Sequence, residues 1–145
     1  MIVISPYSKK LRNGKENPKN YPYWEELIQK IDKSIHIVQV GVEGETKLVD
    51  DCRFNLSVIE LRNLINECQT WISCDSMFQH LAWSEGKQGI VLWSVSDPLI
   101  YGHPENINLL KNRSYLVQNQ FLWWDSYEFN PEAFVKPEEV VHFLK

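Results

Sequence analysis

The stretch Cys74-Asp75-Ser76-Met77-Phe78-Gln79-His80-Leu81-Ala82 sets a carboxylate, a hydroxyl and an imidazole between an apolar run and a helical pattern. Two kinds of chemistry suit that arrangement. Asp75 and Ser76 are ordinary helix-capping types, with His80 free to pack on a neighbouring helix. Alternatively, the first-turn amides of Met77 and Phe78 face a phosphate, helped by the helix dipole, and His80 one turn on donates to a diphosphate oxygen. The local residues leave both open.

Three further stretches carry groups suited to the second chemistry. Lys19 lies three residues before Pro22, near a helix start, and offers a mobile point charge for phosphate. In Gly41-Val42-Glu43-Gly44-Glu45, carboxylates follow a glycine at a strand end, from where ribose hydroxyls can be held by Glu43 or Glu45. Asp97-Pro98 follows another apolar run and also reads as a plain turn. Taken singly, each is equally an ordinary surface feature, a solvated lysine or an acidic turn.

The elements that must position these groups alternate. Short apolar runs predict strands over residues 2–5, 36–41, 49–56, 70–74, 89–94 and 107–110. Helices are predicted after Pro22, through Trp24, Leu27, Ile28 and Ile31, and from Ser57, with Glu60 at capping-box spacing. Two more are predicted over residues 76–85 and from Pro137. Residues 6–22, with Gly14, Pro18 and Pro22, form a loop long enough to expect a function for it. Strands alternating with helices imply an α/β, Rossmann-like domain, a parallel sheet with helices on both faces. Such sheets bind ligands beyond the carboxyl ends of their strands. The loops after Ser5, Gly41, Cys74 and Ser94 are therefore the places to look, and most of the groups above fall there.

A chain of 145 residues suits a single domain, with residues 104–145 as its C-terminal extension. No apolar run approaches the ~20 residues of a membrane span. The N-terminus lacks the charge-then-apolar order of a signal peptide. Cys52, Cys68 and Cys74 show no CxxC spacing, which points to reduced thiols in a cytoplasmic setting. No metal or cofactor is called for. The net charge of −4 hides a basic loop holding Lys9, Lys10, Arg12, Lys15 and Lys19. After Lys33, fifteen carboxylates face eight Lys and Arg, which speaks against a nucleic-acid surface while leaving the loop able to attract phosphate.

In order along the chain, several of these stretches resemble the C-terminal half of the heptosyltransferase family, the ADP-heptose:lipopolysaccharide glycosyltransferases of the GT-B fold. Lys19-Asn20-Tyr21-Pro22 is similar to its K-x-W-P element, with tyrosine replacing tryptophan. Gly41 to Glu45 is similar to its glycine-and-glutamate turn, and Leu56-Ser57-Val58-Ile59-Glu60-Leu61 to its L-S-x-x-E-L helix opening. Asp75 to Ala82 resembles the D-T/S-G-x-x-H-L-A signature, and Ser96-Asp97-Pro98 its T-D-P.

The resemblance implies a domain that binds a nucleoside-diphosphate sugar, an ADP-sugar by preference. Lys19 would meet phosphate, Glu43 or Glu45 the ribose, and the turn from Asp75 through Ser76, Met77 and Phe78 the diphosphate. His80 and Asp97 would lie near the sugar-diphosphate, as the candidate catalytic groups. Two departures stand out. Met77 replaces the glycine that lets the diphosphate approach the backbone. The length leaves no room for the family's acceptor-binding domain, so transfer is expected to need a partner chain or a second copy. The alternative is a non-catalytic nucleotide-binding or protein-interaction module that keeps the fold, with Trp123 and Trp124 as part of an apolar surface.

Overall fold

The structure, a computed structural model, describes residues 1–144. Six strands, β1 (Ile2–Ser5), β2 (Ile37–Gly41), β3 (Asp51–Phe54), β4 (Thr70–Cys74), β5 (Ile90–Leu92) and β6 (Ile107–Leu109), form one sheet in the order β3-β2-β1-β4-β5-β6. Every pairing is parallel, with Val3 of β1 set against Val38 on one side and Trp71 on the other. The helices are α1 (Trp24–Lys30), α2 (Val58–Glu67), α3 (Met77–Ser84), α4 (Pro98–Tyr101) and α5 (Pro137–His142). The fold is thus α/β and Rossmann-like.

The strands are continuously apolar because both of their faces are covered. Ile2, Ile4, Ile72, Ile90 and Leu92 pack beneath Trp24, Leu27, Phe134 and Val140. Val3, Val38, Val40, Trp71 and Val91 pack beneath Leu64, Ile65, Phe78 and Ala82. Successive residues of β1 alternate between the two cores, as the pleat requires. Each such side chain, fully buried, stabilises the fold by about 1.5–3 kcal/mol. Ser57 caps α2 through the reciprocal box, with Glu60 N–H donating to its Oγ at 3.1 Å and Ser57 N–H to Glu60 Oε1 at 3.1 Å.

Several elements differ from their sequence expectations. The strand expected over residues 49–56 shrinks to Asp51–Phe54, an edge strand whose Asp51 and Arg53 face solvent. It ends at Asn55, whose φ of 58° turns the chain away in the left-handed region that asparagine tolerates. His36 stays outside β2, and its ring pairs with Asp51 at 2.8 Å. Asp97-Pro98 opens a short helix instead of a turn. Asp97 Oδ1 accepts from the Leu99 amide at 2.9 Å, and Pro98 fills the first helical position, where its missing N–H costs nothing. Three short 3-10 turns, at Arg113–Tyr115, Trp124–Ser126 and Pro131–Ala133, organise the stretch before α5. α5 packs on α1 through Val140 and Leu27 of the first core. Among the described residues, no helix is long and apolar enough to cross a membrane.

The sheet order changes direction between β1 and β4. The chain builds outward from β1 to β3, then returns to place β4 on the other side of β1. Loops leaving these two strands diverge to opposite faces and open a crevice at the carboxyl edge.

Candidate functional site

A cleft of about 740 Å³ lies in that crevice, above the ends of β1, β2 and β4, and its volume is that of a small-molecule site. One wall comes from the loop after β1. Polar side chains fold this loop. Ser8 N–H donates to Asn20 Oδ1 at 2.8 Å, and Asn17 Nδ2 donates to the Lys9 carbonyl at 2.8 Å. Asn17 Oδ1 accepts the Lys19 amide at 3.0 Å, and Ser94 Oγ donates to the Pro18 carbonyl at 2.7 Å. Ser8 Oγ reaches across to the Asp75 carbonyl at 2.8 Å, tying the loop to the end of β4.

These bonds deliver Lys19 to the switch point. Its Nζ lies 3.1 Å from Asp75 Oδ2, with the two side chains only 15% and 7% exposed. Gln79, one turn into α3, donates from Nε2 to the other Asp75 oxygen at 2.7 Å. Both carboxylate oxygens of this buried side chain thus have a partner. The same ammonium sits 4.3 Å from the ring of Trp124 and 5.9 Å from that of Tyr101.

The floor is the start of α3. Ser76 occupies the N-cap position with extended backbone, yet its side chain makes no capping bond. Its Oγ is buried without a hydrogen-bond partner among the described residues. The first-turn amides of Met77 and Phe78 have no intrahelical acceptor and no side-chain cap, so they remain donors in want of an oxygen. Phe78 fixes the helix from below, its ring edge-on to Trp71 at 5.6 Å. Met77 is 60% exposed and lines the cleft.

The opposite wall is the turn after β2. Glu45 Oε1 accepts the Val42 amide at 2.6 Å, so the carboxylate folds back over Gly41, where a Cβ would collide with it. Gly44, with φ +99°, makes the tight return possible. Glu43 N–H donates to Asn55 Oδ1 at 3.2 Å. Beneath the turn, the fully buried Gln39 donates to the Thr46 carbonyl at 2.9 Å and accepts from the Leu48 amide at 2.8 Å. Burial pushes the Glu45 carboxyl above its ordinary pKa, against the pull of the Val42 amide and Lys10.

Of the sequence candidates, Lys19, Glu43, Glu45, Asp75, Ser76, Met77 and Phe78 line this one cleft. His80 and Asp97 do not. His80 Nδ1 lies 2.8 Å from His103 Nε2, and the His103 ring stacks on Trp83 at 4.3 Å. Burial, and secondarily His103, lowers the His80 pKa, so its ring favours the neutral form. Asp97 lies on a second groove of about 830 Å³. There Arg113 holds it at 2.7 Å and keeps its carboxyl below the usual range, while Gln120 Oε1 accepts its backbone amide at 2.8 Å. Sequence reasoning missed Gln39, Asn55, Gln79 and Tyr101 and placed Trp124 only in an apolar surface. The left-handed Asn55, one residue beyond a strand, was the one with a readable signal.

A lysine, free helix-start amides and a pair of glutamates thus line one cleft of small-molecule size. No protein-family model matches the sequence, and no curated protein does. Among solved structures, the fold is similar to that of E. coli ADP-heptose lps heptosyltransferase II, with a TM-score of 0.62 and 19% identity. That likeness covers 99% of this chain and 46% of the other, so the chain spans less than half the length of that protein. At such low identity it concerns the fold alone: this chain has the α/β, Rossmann-like architecture of a fragment of a GT-B glycosyltransferase.

Proposed function

We propose that the cleft binds a nucleoside-diphosphate sugar, so that the chain is the donor half of a glycosyltransferase. The observation that carries this is the meeting of Lys19 with the uncapped start of α3 at the β1/β4 switch point. Phosphate oxygens would take the amides of Met77 and Phe78 and share the Lys19 ammonium with Asp75. Ribose hydroxyls would donate to Glu43 or Glu45. These donors oppose the negative charge that grows on a departing diphosphate. ADP is the preferred nucleotide on the resemblance in sequence.

The other half of the chemistry is the deprotonation of an acceptor hydroxyl. A base for this must face the bound sugar across the cleft. We assign that group to a separate acceptor-binding partner or a second copy of this chain. His80 and Asp97 act in this scheme by holding α3 and α4 in place, through His103 and Arg113. A cytoplasmic setting suits the three free thiols, Cys52, Cys68 and Cys74. Met77 favours one competing reading, a nucleotide-binding module without transferase activity, because a long side chain lines the cleft at the first residue of α3.

Titration of ADP, GDP, UDP and their sugar derivatives, followed by thermal stability, tests the proposal. A ligand that binds the folded state raises Tm by mass action. A nucleoside diphosphate is expected to do so, and Lys19→Ala to weaken it about tenfold, the scale of one charge-assisted hydrogen bond. His80→Ala is expected to lower Tm while largely sparing affinity. Absence of any shift at millimolar concentration would refute the donor site.

A further inference from the structure

Lys19 is the cation expected to meet phosphate, and Trp124 sits against it from far along the chain. The indole belongs to the 3-10 turn Trp124–Ser126, lines the same cleft, and has its ring 4.3 Å from the ammonium. Tyr101 closes the corner, its ring 6.3 Å from that of Trp124 in an edge-on arrangement.

The contacts holding this turn reach mainly to the loop that carries Lys19. The Arg12 guanidinium lies 4.0 Å over the Trp123 ring and 3.5 Å from the Asp125 carboxylate. Asn13 Nδ2 donates to the Asp125 carbonyl at 3.3 Å. Upstream, the buried Gln120 anchors the segment by donating to the carbonyls of Val95 and Val117, each at 2.9 Å. Between that anchor and Trp124 little apolar surface is buried, since Phe121 is 80% and Trp123 67% exposed. Beyond the Gln120 anchor, the segment is therefore held by its grip on the Lys19 loop, and not by a core of its own.

An ammonium on a flexible four-carbon stem has many positions open to it. Asp75 draws Lys19 from one side, and the electron-rich face of Trp124 attracts it from another. Together they fix it in the wall of the cleft, where an incoming phosphate needs it. Resting on the donor-site reading above, we propose that Trp124 is a positioning residue for phosphate binding, acting through Lys19. The C-terminal segment is thereby part of the nucleotide site.

A double-mutant cycle tests this, with ADP, GDP and UDP as probes and dissociation constants from calorimetry on wild type, Trp124→Ala, Trp124→Phe, Lys19→Ala and the Trp124→Ala/Lys19→Ala pair. Circular dichroism checks that each variant is folded. Trp124→Ala is expected to weaken the binding nucleotide about fivefold, with Trp124→Phe close to wild type because an aromatic face remains. In the Lys19→Ala background the same Trp124→Ala change is expected to have no effect. An equal loss with and without Lys19, or no loss in the first place, would overturn the inference while leaving the donor site intact. If no nucleoside diphosphate binds wild type, the donor reading fails and this inference fails with it.

Discussion

Met77 governs how near a diphosphate can come to α3. It is the first residue of that helix, lines the cleft, and carries its exposed thioether chain beside the amides that phosphate oxygens would seek. Removing it opens the backbone, so Met77→Gly is expected to tighten nucleoside-diphosphate binding by up to about tenfold, one hydrogen bond to a charged group. The same change costs up to roughly 1 kcal/mol of stability, since glycine is the freer residue when unfolded. Calorimetry checks the first effect and thermal denaturation the second; unchanged affinity would mean that Met77 does not limit the approach. The surrounding residues teach a related lesson. Spacing put Asp75, Ser76 and His80 in one signature, but spacing along a chain does not say where a ring points. His80 turns away to His103, whereas Gln79, to which the sequence assigned no role, grips the Asp75 carboxylate.

Loops at the carboxyl edge are held by buried amides. Gln39 secures the chain leaving the Glu43–Glu45 turn, Gln79 the β4–α3 turn and Gln120 the segments after β5. Leaving backbone groups without partners in a buried place costs about 1–3 kcal/mol. Gln39→Leu is therefore expected to destabilise the protein by that amount and to speed hydrogen exchange at the Leu48 amide, whose acceptor is removed. Exchange at Leu48 equal to wild type would show that the turn holds itself. The helices and the inner strands were readable from period and caps, as with Thr70–Cys74 and the Ser57–Glu60 box. β3 and α4 were not. β3 is an edge strand half open to solvent, so its sequence need not be apolar, and α4 is a single turn fixed by Asp97 and Arg113 from different parts of the chain.

At the scale of the whole molecule, alternation of strands and helices already implied a parallel sheet with two cores. The order of its strands is set by pairing across the chain, as when β1 takes β4 as a neighbour, and no local pattern announces it. The switch point follows from that order, and with it the meeting of Lys19 and Asp75 across 3.1 Å. Trp124 illustrates the same limit. From the sequence it was one of two adjacent tryptophans in a tail; only the fold brings it beside a lysine near the other end of the chain.

The central claim is that this switch-point cleft, and not the groove around Asp97 and Arg113, receives the nucleotide. It is tested most directly by titrating isotope-labelled protein with a nucleoside diphosphate and mapping amide and indole resonances. The largest shifts are expected at residues 75–78, at residues 42–45 and at the Trp124 indole. Shifts confined to Asp97, Arg113 and Gln120, or none at saturating nucleotide, would contradict it.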